Sequence, residues 1–337
     1  MGFIGSIEIL YTSVELPMQE TIQKLLAPGK GLLAADESTG TISKRFVALG
    51  LTSTPELNKK YREMLFTTPE IERYLGGVIL FDESVRQNLQ KVLGEKGIIS
   101  GIKVDGGLET FNGSEEQVTK GLEGLDERLK EYLTLGLKFT KWRAAIRISD
   151  IFPTDAFLKE DLSRMVEFAK ISQNNDFAPI VEPEVLLDGN HTIARCEQTS
   201  IKVWQILFEK LKTAGIDLTN LILKTNMVLP GKDSGVKATP LEVAEVTLRS
   251  LKQSVPPEVG GIVFLSGGQS PDEATNNLNE IVKRKSDSPW PISFSYSRAL
   301  QEEAMKVWAG KDENIPAAQK VFLDRLIMVS KARNGQL

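Results

Sequence analysis

A (β/α)8 barrel is the fold this sequence predicts. Three observations point to it. Eight short apolar runs recur along the 337 residues, stretches of helical periodicity lie between them, and no linker or shift of composition divides the chain. The competing architecture is a doubly wound open sheet, which usually carries a Gly-x-Gly-x-x-Gly turn after an early strand; this chain has none. Residues 1–337 are therefore read as a single α/β domain of the TIM-barrel class, with one extra helix ahead of the first strand.

That extra helix is expected over residues 20–26. The strands are expected at 31–35, 77–81, 98–104, 137–142, 178–182, 221–228, 261–265 and 292–296. Apolar residues at helical spacing predict helices over 162–170 and from 201 to 212, ahead of Gly215. A third helix starts at Pro240 with Thr239 as its N-cap. A fourth opens on Ser270-Pro271-Asp272-Glu273, a capping-box pattern.

Composition excludes several function classes. Hydrophobic residues make up 41% and charged residues 26%, and 41 basic against 45 acidic residues leave a net charge of −4. Without a clustered basic field no nucleic-acid surface is expected, although a few local cations suffice for a phosphorylated metabolite. Cys196 is the only cysteine and His191 the only histidine. No intramolecular disulfide can form, which is compatible with a cytoplasmic setting. A zinc site of three histidines cannot be built, and a Ser-His-Asp triad would depend wholly on His191. His191 falls in a polar turn entering a helix, where a surface or capping role is expected. No run reaches the ~18 apolar residues of a membrane span. Residues 1–10 are apolar but lack the basic start of a secretory signal, and Gly2 with Ser6 matches only a short, weak myristoylation pattern.

In a barrel of this class catalytic groups sit at the C-terminal ends of the strands, and residues two apart share a face. Lys224 stands in the middle of the apolar run Leu221 to Val228. Two readings apply: a lysine snorkelling to water, or a desolvated amine that attacks carbonyls. On that face Lys224 is joined by Asn226, while Lys141 pairs with Arg143 and Glu182 with Glu184 on the two preceding strands. Lys141, the two glutamates and Lys224 are thus expected to form a contiguous Lys–Glu–Lys cluster, either as structural ion pairs or as a nucleophile with a proton-transfer group beside it. Asp36, closing the first strand, is a further inward carboxylate.

The last two strands carry an anion signal. Ser266-Gly267-Gly268 ends the seventh in a glycine turn, and Ser297-Arg298 follows the eighth where a helix begins. A second anion could be held by Lys103 on the third strand and by Ser38, Thr41, Lys44 and Arg45 after the first. Those four residues read equally well as a solvated helix start.

The chain resembles class I, Schiff-base-forming fructose-1,6-bisphosphate aldolases from about residue 25 to about 332. The similar segments include Ala35-Asp36-Glu37-Ser38-Thr39-Gly40, Gly101-Ile102-Lys103-Val104-Asp105, Lys141-Trp142-Arg143, Pro179-Ile180-Val181-Glu182-Pro183-Glu184, Asn226-Met227-Val228 and Phe264-Leu265-Ser266-Gly267-Gly268-Gln269-Ser270. The resemblance implies reversible cleavage of fructose 1,6-bisphosphate to dihydroxyacetone phosphate and glyceraldehyde 3-phosphate, in glycolysis and gluconeogenesis. It implies an imine on Lys224, proton transfer by Glu182, and a charged cluster completed by Lys141 and Glu184. Asp36 would take the hydroxyl proton. Ser266, Gly267 and Arg298 would hold the ketose 1-phosphate, and Ser38 and Lys103 the other phosphate; Thr41 and Arg143 are further candidate contacts. No metal or other cofactor is implied, and the family is usually tetrameric.

Three departures from the family pattern stand out. Thr225 replaces a proline after the lysine and is expected to face away from it. Ser297 replaces a glycine often found before the arginine. The chain ends Gln336-Leu337, without the terminal tyrosine of animal members that assists enamine protonation. Rival readings are a Schiff-base barrel lyase for another phosphorylated ketose, and a scaffold or adaptor role secondary to catalysis.

Overall fold

The computed structural model describes residues 17–337; the N-terminal signal and Gly2 readings concern residues outside that range. The elements run, in chain order, α1 (Met18–Leu25), β1 (Gly31–Ala35), α2 (Thr39–Val47), α3 (Pro55–Phe66), β2 (Leu75–Leu80), α4 (Asp82–Arg86), α5 (Leu89–Glu95), β3 (Ile99–Lys103), β4 (Leu108–Thr110), β5 (Gln117–Thr119) and α6 (Leu125–Thr134). They continue with β6 (Phe139–Ile146), α7 (Asp155–Asn174), β7 (Ala178–Val185), α8 (Ile193–Thr213), β8 (Ile222–Thr225), α9 (Pro240–Ser254), β9 (Gly261–Phe264), α10 (Pro271–Arg284), β10 (Ile292–Tyr296), α11 (Arg298–Trp308) and α12 (Ile315–Arg333). Eight strands close into an all-parallel barrel in the order β1-β10-β9-β8-β7-β6-β3-β2, so the expected (β/α)8 barrel is present. β4 and β5 form a separate antiparallel hairpin that the sequence pattern does not announce.

Strand alternation sorts the core into two layers. Residues pointing outward from the barrel, such as Leu33, Val78, Trp142, Val181 and Leu223, pack beneath the helices. Residues pointing inward, among them Leu32, Ala34, Ile79, Phe139, Ala178, Ile180, Ile222 and Val263, meet Ile22, Leu25 and Leu26 at the end of α1. The extra helix is therefore a plug across the N-terminal mouth of the barrel. It lies against the strands so closely that a Cβ on Gly76 would sit 2.3 Å from the Leu25 carbonyl oxygen.

Capping places the helix starts as expected. Thr239 and Ser270 each form a reciprocal capping box, with Glu242 and Glu273, and Pro240 and Pro271 occupy the first helical turn. Other boundaries moved. The runs at 137–142 and 178–182 extend to Ile146 and Val185, because β6 and β7 stay in register over all eight residues. The run at 221–228 is a strand only over Ile222–Thr225. Beyond it Asn226 accepts the Val185 N–H through Oδ1 at 3.0 Å, and the Val228 N–H turns to Thr247 Oγ1. Thr225 does face away from Lys224: its Oγ1 takes the Trp204 indole N–H under α8.

His191 corrects an expectation. It is buried rather than at the surface, and Thr192, not His191, caps α8. The loop from Asp188 to Thr192 is crossed by the segment after β8, with the Gly231 N–H bonded to the His191 carbonyl, and this covers the ring.

The hairpin is fastened to the barrel by Asp161 on α7. Its Oδ1 accepts the Thr119 N–H at 2.7 Å, and Thr119 Oγ1 donates to the Arg143 carbonyl. Burial raises the Asp161 carboxyl to about 6, against the hydrogen bonds from Thr119 and the charge of Arg164. A carboxyl raised in the folded state binds its proton more tightly there than in the unfolded chain. Wild-type stability therefore rises as pH falls from about 6 towards the ordinary value of 3.8. Asp161→Asn lacks this gain, so its stability relative to wild type should worsen by about 2 kcal/mol between pH 7.5 and 4.5 in urea titrations. A pH-independent difference would show that this carboxyl titrates normally.

Candidate active site

A cavity of about 620 Å3 opens at the C-terminal end of the barrel. Lys224 and Glu182 lie at its floor, with Lys141 and Asp36 beside them. The strand register sets this arrangement. Arg143 on β6 is level with Glu182 on β7, and Lys224 on β8 follows directly after Leu223, the partner of Val181. β8 thus points Lys224 inward at the level of Glu182 on the neighbouring β7.

Glu182 sits between two ammonium groups. Its Oε1 is 3.0 Å from Lys224 Nζ and its Oε2 is 3.2 Å from Lys141 Nζ. Lys141 Nζ also lies 2.6 Å from Asp36 Oδ2. All four side chains are at most 12% exposed, so the Coulomb interactions are only weakly screened by water. Burial alone would raise the Asp36 carboxyl, but the Lys141 and Lys224 charges outweigh it and hold that group at about 2. Burial likewise works to raise Glu182, and Lys141, Lys224 and Arg143 lower it overall. For Lys141 burial disfavours the ammonium, yet Asp36 and Glu182 more than compensate, and its proton is held well above the ordinary lysine range. Of the cluster expected from Lys141, the two glutamates and Lys224, the structure brings together Lys141, Glu182 and Lys224 and adds Asp36, but it leaves Glu184 out.

Glu184 stands apart from that cluster. It pairs with Arg143 one layer nearer the mouth, and burial and the opposing Glu184 charge compete at the guanidinium, which stays firmly protonated. Gly267 rests on this pair: a Cβ there would lie 2.7 Å from Glu184 Oε1, so a side chain at this position would push the Glu184 carboxylate aside. Ser266, Gly267 and exposed Arg298 gather on one side of the mouth, at the ends of β9 and β10. Lys103, at the end of β3, lies across the barrel from β9, while Ser38, Thr41 and Arg45 line the mouth after β1, the neighbour of β10.

Both readings of the α2 start apply. Ser38 is the N-cap and accepts the Thr41 N–H, while the same residues line the cavity. Lys103 is partly occupied, since Asp105 Oδ1 lies 2.6 Å from its Nζ. Asp105, two residues beyond the end of β3, was not singled out in the sequence. Two other residues are not singled out by the sequence pattern. Glu37 is 6% exposed and binds Arg45, although its position after an apolar strand already demanded a cationic partner. Ser295, on β10, lines the cavity with a buried hydroxyl that has no hydrogen-bond partner among the described residues.

The arrangement supplies a buried amine, a carboxylate in contact with it, and cations on opposite sides of a cavity large enough for a small sugar. Comparison with known proteins agrees with this chemistry. The family described as class-I fructose-bisphosphate aldolase matches residues 17–337. The chain is 44% identical over 315 residues to cytosolic fructose-bisphosphate aldolase 4 of Arabidopsis thaliana, covering 91% of this chain and 80% of the plant protein. It is 43% identical to the cytoplasmic isozyme of Spinacia oleracea, covering 93% and 89% of the two chains. The fold superposes with a TM-score of 0.92 on fructose-bisphosphate aldolase from Plasmodium falciparum, solved in complex with TRAP and a small-molecule inhibitor. Identity there is 42%, over 95% of this chain and 94% of that one.

Proposed function

The chain belongs to the class I fructose-bisphosphate aldolase family, and we propose that it cleaves fructose 1,6-bisphosphate through an imine on Lys224. The products are dihydroxyacetone phosphate and glyceraldehyde 3-phosphate; the step is one of glycolysis and is reversible. The observation that carries the imine reading is the 3.0 Å contact between Lys224 Nζ and Glu182 Oε1 at the cavity floor.

Glu182 is ionised beside Lys224 and can take one ammonium proton, leaving a neutral amine to attack the ketose carbonyl. After attack the nitrogen passes one of its own protons to the oxyanion, giving the carbinolamine hydroxyl. The Glu182 carboxylic acid then returns the first proton to that hydroxyl, which departs as water and leaves a protonated imine. Lys141 keeps its proton throughout and supplies a fixed positive charge to the developing oxyanion. Asp36 is in its acceptor form at neutral pH. Being a weak base, it receives the hydroxyl proton only as the carbon–carbon bond breaks and the electron pair passes to the protonated imine. That imine is the electron sink, so this sequence of steps calls on no metal, in keeping with the metal-independent chemistry of the class I family. In this reading Ser266, Gly267 and Arg298 receive the 1-phosphate, a role supported by their position at the ends of β9 and β10. In the same reading Ser38, Thr41 and Lys103 take the other phosphate, with the Arg143–Glu184 pair lining the cavity beside them.

Borohydride reduction in the presence of dihydroxyacetone phosphate, followed by peptide mapping, tests the reading. A single adduct on Lys224, formed equally well with EDTA present, is expected. Modification of another lysine, or dependence on a chelatable metal, would overturn it. A cytoplasmic setting and a homotetramer complete the proposal. The first is supported by the cytosolic relatives and by the described helices, none of which is long and apolar enough to cross a membrane. The second is checked by light scattering.

A further inference from the structure

Ser297 lies at the junction of three elements. Its hydroxyl is 2.9 Å from Glu37 Oε1, 3.1 Å from Arg45 Nη2 and 3.3 Å from Gln301 Nε2. A hydroxyl has one proton to donate and two lone pairs to accept with. Arg45 and Gln301 present only N–H groups here, so the serine proton goes to Glu37. All three capacities are used, and none remains for a ligand.

Arg45 is consequently held at two points, through Nη1 to Glu37 Oε1 at 2.6 Å and through Nη2 to Ser297. The triangle is braced from behind. Gln301 Nε2 also donates to the Ala34 carbonyl at 2.7 Å and its Oε1 accepts from Tyr61, while Arg62 donates to the Glu37 carbonyl. Arg45 follows Thr41 by one turn of α2 and lines the same cavity, and Ser297 is the residue before Arg298 at the start of α11.

We propose that Ser297 is a positioning residue that sets substrate specificity: it fixes the Arg45 guanidinium towards the sugar's second phosphate and so favours bisphosphate over 1-phosphate. The inference rests on the aldolase reading of the site. A guanidinium fixed at two points has less freedom to lose when an anion binds than one held by a single flexible carboxylate. Because the serine spends its hydroxyl on Glu37, it acts through Arg45 and not by contact with the sugar.

The test compares fructose 1,6-bisphosphate with fructose 1-phosphate in Ser297→Ala and Ser297→Thr. With alanine, KM for the bisphosphate should rise roughly three- to tenfold, the worth of one hydrogen bond, with kcat little changed. KM for the 1-phosphate should move less than about twofold, since that substrate lacks the second phosphate. Threonine keeps the hydroxyl and should restore the wild-type ratio. An equal change for both substrates, an unchanged ratio in the alanine variant, or a loss confined to kcat would overturn the proposal. Borohydride trapping on the same samples separates the two readings. If wild type forms no Lys224 adduct the aldolase mechanism fails, whereas an intact adduct with an unchanged ratio fails Ser297 alone.

Discussion

Replacing Glu182 with glutamine should slow cleavage roughly 10²- to 10⁴-fold while changing KM little. Glutamine keeps the size of the side chain and can still donate a hydrogen bond to substrate oxygen. It cannot take a proton from Lys224 or return one to the carbinolamine. The deficit should therefore appear before carbon–carbon cleavage, as a matching fall in the rate at which dihydroxyacetone phosphate becomes trappable by borohydride. Wild-type trapping with slow turnover would instead place Glu182 in a later step.

The same substitution should lower stability, with a defined pH dependence. Among the described residues Glu182 is the only carboxylate in ion-pair reach of Lys224, whereas Lys141 retains Asp36. Removing one partner of a buried pair typically costs about 3–5 kcal/mol. The Glu182 carboxyl is held below its ordinary value of 4.5, because the lysine charges exceed the effect of burial. Its contribution is thus fully present above that value and is lost as pH falls through the lower, folded value. The gap between wild type and Glu182→Gln should be widest at neutral pH and close in acid. Asp36, held at about 2, contributes in the same sense between pH 3.8 and 2.

Most of the barrel was legible because its signals are local. An inward face repeating every second residue is enough to place Lys141, Glu182 and Lys224 on adjacent strands, and β6, β7 and β8 pair in that order. What was not legible depends on contacts between distant segments. β4 and β5 are three residues each, too short to carry an alternation signal. Glu184 shares a face with Glu182, but whether it joins the lysines or turns to Arg143 is decided by the layer it reaches, which periodicity does not report. His191 lies in a polar segment, and its burial is imposed by a chain crossing forty residues later. The triangle of Glu37, Arg45 and Ser297 joins residues some 250 positions apart.

Gly76→Ala should be among the most destabilising single substitutions in the barrel, by about 3–5 kcal/mol, although it adds only one methyl group. The new carbon would lie 2.3 Å from the Leu25 carbonyl oxygen and 2.7 Å from that of Lys24. These are backbone atoms, so no rotamer change relieves the clash. Either α1 backs out of the barrel or β2 shifts. If α1 moves, Ile22, Leu25 and Leu26 leave the inner core together, and each fully buried apolar side chain contributes about 1.5–3 kcal/mol. Gly94→Ala is the control: it sits in α5 with nothing within 4 Å of the added carbon, and should be neutral or stabilising by up to about 1 kcal/mol. The plug closes the end of the barrel opposite Lys224. Gly76→Ala molecules that remain folded should therefore keep the wild-type KM and kcat per borohydride-trappable site, while the urea midpoint drops. A fall in kcat per trappable site would mean that strain from the plug travels along the strands to the catalytic end, and an unchanged midpoint would mean that α1 does not seal the barrel in solution.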